Sequence, residues 1–106
     1  MIHHIVLVKF PADFPAAAIA ALFDGLDGLR AVAPGMLGFR AGADVSPEGL
    51  ARGFTHAFVV DFADAAARDA YLVHPAHQAA GARLVAAADG GVEGLLVIDF
   101  EGSRGG

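Results

Sequence analysis

A chain of 106 residues, 56% hydrophobic and 18% charged, with a net charge of −5, has the size and character of one small, apolar domain. The acidic balance and the lack of any Lys/Arg run exclude an electrostatic nucleic-acid binder, and the absence of cysteine excludes disulfides and thiolate metal sites. No apolar run is long enough to cross a bilayer, and "MIHHIVLVKF" lacks a basic leader and a small-residue cleavage site, so no membrane partner and a cytoplasmic location are the expectation.

The first segment, His3–Phe10, is β-branched, apolar and closed by Pro11, which predicts a strand. From Pro15 to Ala33, Ile19, Leu22, Phe23, Leu26 and Leu29 recur at helical spacing, with Pro15 suited to the first turn and Pro34-Gly35 as the stop. Gly25 and Gly28 weaken the middle of that helix. A second strand is expected within Met36–Val45, then a loop through "SPEGLARG", then the strongest strand signal, Phe54–Phe62. Asp64 is placed to cap a helix over "AAARDAYL". Pro75 disfavours helical geometry at His74 and restarts a helix through about Ala88. "GLLVIDF", Gly94–Phe100, is the last strand. One domain over residues 1–101, followed by a disordered tail at 102–106, is the expected organisation.

The order β-α-β-β-α-β is the ferredoxin-like α+β pattern, an antiparallel four-stranded sheet whose usual order, 4-1-3-2, makes the first and third strands central. Two helices cover only one face of such a sheet. The bulky set Phe54, His56, Phe58, Val60 and Phe62 is assigned to the helix side. Ile5, Leu7 and Val59 then fall on the other face, too apolar to be left in water. A second copy related by two-fold symmetry is the simplest cover, making a dimeric α/β barrel that is its own partner.

The segments "HHIVLVKF", "GFTHAFVVDFADAAARDAYLVHPAHQ" and "LLVIDF", in this order and at these intervals, resemble the stress-responsive A/B barrel (Dabb) family over nearly the whole chain. The resemblance implies a homodimeric ferredoxin-like barrel and much less about activity. In one plant branch, of the olivetolic acid cyclase type, members close linear polyketides by aldol condensation without a cofactor. Carried over from that branch, His77 takes the place of the catalytic histidine, Asp99 of the carboxylate that orients it, and Tyr71 of a tyrosine holding substrate oxygens. His4 and His56 take the places of pocket-lining histidines. The pocket wall departs from the pattern: Leu26 stands where the cyclase has an aromatic hydroxyl, and the second helix ends in "VAAADGG" where the cyclase is bulky.

Aldol closure needs a base for a carbon between two carbonyls and a donor for the oxyanion that forms. Neutral histidine suits the first role near pH 7, and a carboxylate can fix its tautomer. His77 is expected in the first turn after Pro75, where the helix dipole favours the neutral ring while an ionised Asp99 would favour the protonated one. Tyr71 would supply the donor. The resemblance, together with a shared end of the sheet, implies a hydrogen bond between His77 and Asp99. His4 and Asp99 fall at one end of the sheet, and their parity allows them one face. His56 falls toward the other end, against a joint metal site. "HPAH" has no recognised metal spacing either, so no metal or other cofactor is expected.

The duller alternatives are specific. His74 caps or packs the helix break. His3 is a strand-end residue facing the dimer side. His77 with Asp99 would be a buried pair fixing helix on sheet, and His56 a satisfied core histidine. The reading that results is a pocket for a small, carbonyl-bearing, partly apolar molecule, lined by His4, His56, Val6, Val8, Phe23, Leu26 and Phe58. Its reactive end is His77, Asp99 and Tyr71, with cyclase-like proton transfer as the chemistry. The alternative is a non-enzymatic, stress-associated oligomer whose histidines are structural. A monooxygenase or haem-degrading activity rests on fold analogy alone.

Overall fold

The structure, a computed structural model, describes residues 1–102. Its elements are strand β1 (Ile2–Val8), helix α1 (Ala16–Asp27), a short 3-10 turn (Gly28–Ala31), strands β2 (Met36–Ala43) and β3 (His56–Phe62), helices α2 (Ala65–Val73) and α3 (Pro75–Ala87), a second 3-10 turn (Gly91–Gly94) and strand β4 (Leu95–Glu101). The strands form one antiparallel sheet in the order β2-β3-β1-β4, which is the ferredoxin-like arrangement expected from the chain order.

Several boundaries move, each for a local reason. Pro15 is extended (ψ 137°) and serves as the N-cap rather than the first helical residue of α1. The helix expected to run to Ala33 tightens to 3-10 geometry at Gly28, in the glycine-containing stretch that lowers helical preference. Phe54 and Thr55 lie outside β3. Thr55 accepts a side-chain bond from the Phe10 amide (3.1 Å) and gives its own amide to Val8 (2.8 Å), which turns the chain out of the ladder. Gly102, placed in the tail by the sequence reading, donates its amide to the Met1 carbonyl (3.0 Å) and lies against the His3 ring too closely for a Cβ. The disorder expected further along falls outside the described residues.

The period of two in the strands sorts the side chains cleanly. His4, Val6 and Val8 of β1 stand opposite Val60, Phe58 and His56 of β3, all on the helix side. Val8, Val60 and Phe62 are fully buried there, with Leu26, Leu29, Tyr71 and Leu84 closing the core from the helices. On the opposite face Ile5, Leu7 and Val59 remain half-exposed, and Leu96, Ile98 and Phe100 of the edge strand β4 are exposed.

The approach of the β2 lead-in to α2 depends on one glycine. Gly35 has φ +89°, its carbonyl accepts from the Ala63 amide (2.9 Å), and a Cβ added to it would lie 2.6 Å from the Ala67 Cβ. Gly35→Ala is therefore expected to cost about 2 kcal/mol or more, from the left-handed backbone and the overlap together. A lower urea midpoint at unchanged slope would show it, and an unchanged midpoint would refute it.

Candidate functional site

The site begins at a missing amide hydrogen. α2 starts on the Asp64 cap, whose carboxylate accepts from the Ala67 amide (2.9 Å), and stops at Val73. Proline has no N–H and its ring excludes helical geometry at the preceding residue, so His74 is extended (φ −69°, ψ 135°). His74 then caps the next helix: its Nδ1 accepts from the Ala76 amide (3.0 Å), as the capping alternative expected. The Ala76 amide would otherwise have continued the helix by bonding to the Leu72 carbonyl. That carbonyl instead accepts from His77 Nδ1–H (3.1 Å). A carbonyl only accepts, so His77 carries its proton on Nδ1 and keeps Nε2 as its acceptor nitrogen.

The expected His77–Asp99 hydrogen bond is corrected by this geometry. Asp99 and His4 are direct cross-strand partners in the β4–β1 register, on one face, and Asp99 Oδ1 accepts from His4 Nδ1 at 2.8 Å. The other carboxylate oxygen accepts from Arg68 Nη1, also at 2.8 Å. Asp99 thus positions His4, while His77 is positioned by backbone. Arg68 was absent from the sequence reading. The available signal was its position three residues before Tyr71, on the same side of α2.

His4, Tyr71 and His77 line one cavity of about 500 Å³ between α3 and the strands β1 and β4. The Tyr71 and His77 rings lie 4.4 Å apart and those of Tyr71 and His4 6.2 Å apart, between centroids. Val6, Leu26 and Phe58 line it as expected, joined by Leu95 and Val97 of β4. Three expected members are elsewhere. Val8 is sealed in the core. Phe23 packs on Phe10, His56 and Phe58. His56 stands opposite Val8, four residues along the sheet from His4, and its Nδ1 pairs with Thr55 Oγ1 (2.8 Å), outside this cavity. The sequence reading missed Gln78, Gly81, Ala82 and Val85, although their spacing is that of one helix face.

Burial raises the Tyr71 hydroxyl to about 12, so it stays a donor near neutral pH. Burial also lowers His77, and nearby His4 lowers it further against the opposing Leu72 carbonyl bond. For Asp99 burial acts upward, but the bonds from Arg68 and His4 outweigh it and hold the carboxyl below its ordinary range. On the helix-free face a second polar group was only half foreseen. His3 faces that side as expected, where its Nδ1 meets Asp61 Oδ1 at 2.6 Å, and Arg40 Nη2 reaches both Asp61 oxygens (3.2 and 3.1 Å).

Similarities to known proteins bear on this geometry. The family model described as "Stress Responsive A/B Barrel Domain" matches residues 2–102. The Arabidopsis thaliana protein HS1, a stress-response A/B barrel domain-containing protein, is 31% identical over 100 residues, covering 94% of this chain and 88% of that protein. A dimeric ferredoxin-like protein from Jannaschia sp. CCS1 superposes with a TM-score of 0.85 at 37% identity, over 94% of this chain and 97% of the other. The hydroxynitrile lyase from Passiflora edulis superposes with a TM-score of 0.83 at 23% identity, over 97% and 94%, a likeness of fold.

The ionisable groups predict a two-step loss of stability on acidification. His77 has a folded pKa below its unfolded value of about 6.5, so the folded state binds fewer protons, and stability falls as pH drops below about 6.5. Asp99, also depressed, stabilises above about pH 4, and that contribution disappears as pH falls through its lower folded value. Thermal melts from pH 8 to 3 should show both steps. His77→Ala should remove the upper one and Arg68→Met should move the lower one to higher pH; profiles parallel to wild type would refute the assignments.

Proposed function

The chain belongs to the stress-responsive A/B barrel (Dabb) domain family, and on that premise we propose that its cavity binds a small, carbonyl-bearing, largely apolar molecule and moves a proton at carbon without a cofactor. The observation that carries the reading is the His77 ring, its Nδ1–H committed to the Leu72 carbonyl while the ring lines a cavity shared with Tyr71 and His4. In the proposed step the C–H bond between two carbonyls breaks, its proton goes to His77 Nε2, and the electron pair moves onto a carbonyl oxygen as an enolate. Tyr71 O–H donates to that oxygen, a role suited to a hydroxyl whose proton is held to about 12. His4, with Nδ1–H held by Asp99, offers Nε2 to a substrate hydroxyl or enol. Attack of the enolate carbon on a second carbonyl would close a ring in the manner of a polyketide cyclase, and the proton on His77 then returns to the new alkoxide. The apolar remainder, Val6, Leu26, Phe58 and Leu95, fits the hydrocarbon part of the ligand.

Deuterium uptake at the central carbon of 1-phenylbutane-1,3-dione, followed by NMR in buffered D2O, tests this. The protein should accelerate uptake with a rate that rises with pH to a plateau reached below about pH 6.5, because His77 must be neutral to act. His77→Ala should lower the acceleration by about 100-fold. Equal acceleration by His77→Ala, in protein shown to be folded, would remove His77 as the base. No acceleration by wild type would favour the structural role for these histidines in a stress-associated oligomer.

The same proposal includes a cytoplasmic homodimer formed through the helix-free sheet face. Ile5, Leu7 and Val59 there, with exposed Ile98 and Phe100, make an apolar surface that a second copy would cover. The Jannaschia relative of the same fold is dimeric. Val59→Asp, which would place an unpaired charge in that interface, should shift the wild-type dimer toward monomer in sedimentation velocity at micromolar concentration. A compact wild-type monomer would overturn the assembly.

A further inference from the structure

α3 is built of residues too small to fill the space beneath it. Along the partly exposed face beside its buried Ala80 and Leu84, Gln78, Gly81, Ala82 and Val85 recur at helical spacing and line the cavity. Gly81 stands out among them. It lies mid-helix, where glycine is about 1 kcal/mol worse than alanine, and it has no backbone reason to be glycine because its φ is not positive. Packing does not require it either: a Cβ built on Gly81 meets nothing within 4 Å. Gly35 and Gly94, by contrast, have neighbours that leave no room for one. The space above Gly81 is the cavity itself.

Gly81 also follows His77 by four residues, one turn along the same face. Side chains on a helix lean toward its amino terminus, so any side chain at this position would extend toward the His77 ring. We propose that Gly81 is the specificity-determining residue of the cavity, its missing side chain keeping open the volume beside His77 into which a ligand's bulky substituent fits. The inference rests on the ligand reading above and adds a statement about ligand width: substituents as broad as a phenyl ring are admitted next to the reacting carbon. Helix stability is given up for that room. Val97 and Leu95 of β4 and Leu26 of α1 line the same volume, and a large side chain from Gly81 would take up part of it.

Three proteins, wild type, Gly81→Ala and Gly81→Leu, are compared with two probes and one inert gas. Gly81→Ala should melt about 4–6 °C higher than wild type, since the helix gains and no contact is lost. Gly81→Leu should bind 1-phenylbutane-1,3-dione at least tenfold more weakly than wild type by calorimetry, while pentane-2,4-dione binds within about twofold. Wild-type binding of the phenyl diketone preserved in Gly81→Leu would overturn the inference. Xenon, which enters apolar cavities whatever their function, separates this from failure of the ligand reading. If the wild type binds neither diketone but takes up xenon in the cavity, by xenon NMR or under pressure in the crystal, and Gly81→Leu does not, the role of Gly81 in holding the volume open stands and the diketone chemistry falls. Equal xenon uptake by wild type and Gly81→Leu overturns the role of Gly81.

Discussion

Pro75 organises the helical layer of this protein. Its ring excludes helical geometry at His74, so α2 cannot run into α3, and the Ala76 amide turns to the His74 ring instead of the Leu72 carbonyl. Two imidazoles repair the break in different ways. His74 caps the new helix with its own ring nitrogen, and His77 turns back to the orphaned carbonyl. The second repair has a chemical consequence. An imidazole tied to backbone through Nδ1–H has one tautomer and one orientation, and its remaining nitrogen is a lone pair rather than a donor. A helix joint thereby becomes a positioned base, and the structural and chemical accounts of "YLVHPAHQ" are the same account.

A different logic governs the sheet side of the cavity. Asp99 is an acid at the boundary of an apolar core, where burial by itself would make it a weak one. It stays ionised because two donors converge on it from two elements, Arg68 from α2 and His4 from the neighbouring strand. Neither donor is expendable in physical terms: removing one would leave a half-buried carboxylate short of a partner. The pair of strands therefore presents to the cavity an imidazole held by a carboxylate, and the helices present one held by backbone. Tyr71, between them, is held protonated by its burial.

The alanine-rich composition explains why there is a cavity at all. Large side chains on β1 and β3 fill the centre of the domain, where Val8, Val60 and Phe62 are sealed. The cavity-lining face of α3 carries Gly81, Ala82 and Val85, and beside β1 and β4 such residues leave a gap that Leu or Phe there would narrow. The other sheet face tells a complementary story. It is apolar but shallow, with Ile5, Leu7 and Val59 only half covered, and the Asp61 carboxylate set into it is paired with His3 and Arg40.

Periodicity and punctuation were enough to read the element order, the sheet topology and which face of β3 meets the helices, because these follow from local geometry: a period of two in strands, prolines and caps at the ends of helices. The same reasoning placed His77 in the first turn after Pro75, gave His74 its capping role, and put His4 and Asp99 at one end of the sheet. What it could not decide was which partner each polar group would choose. His77 and Asp99 were paired on the strength of a resemblance, yet the β1–β4 register sets Asp99 directly opposite His4, and only the register fixes that distance. Arg68 reaches Asp99 from thirty-one residues earlier in the chain, a contact without any local signature. Val8, Phe23 and His56 were given to the pocket by type, and packing assigned them to the core or to the far end of the sheet. The sequence by itself determined the elements and their order, since each is dictated by neighbours within a few residues. The tertiary structure alone decided the partners and the empty volume, because a hydrogen bond and a cavity depend on how separate elements come to lie against each other.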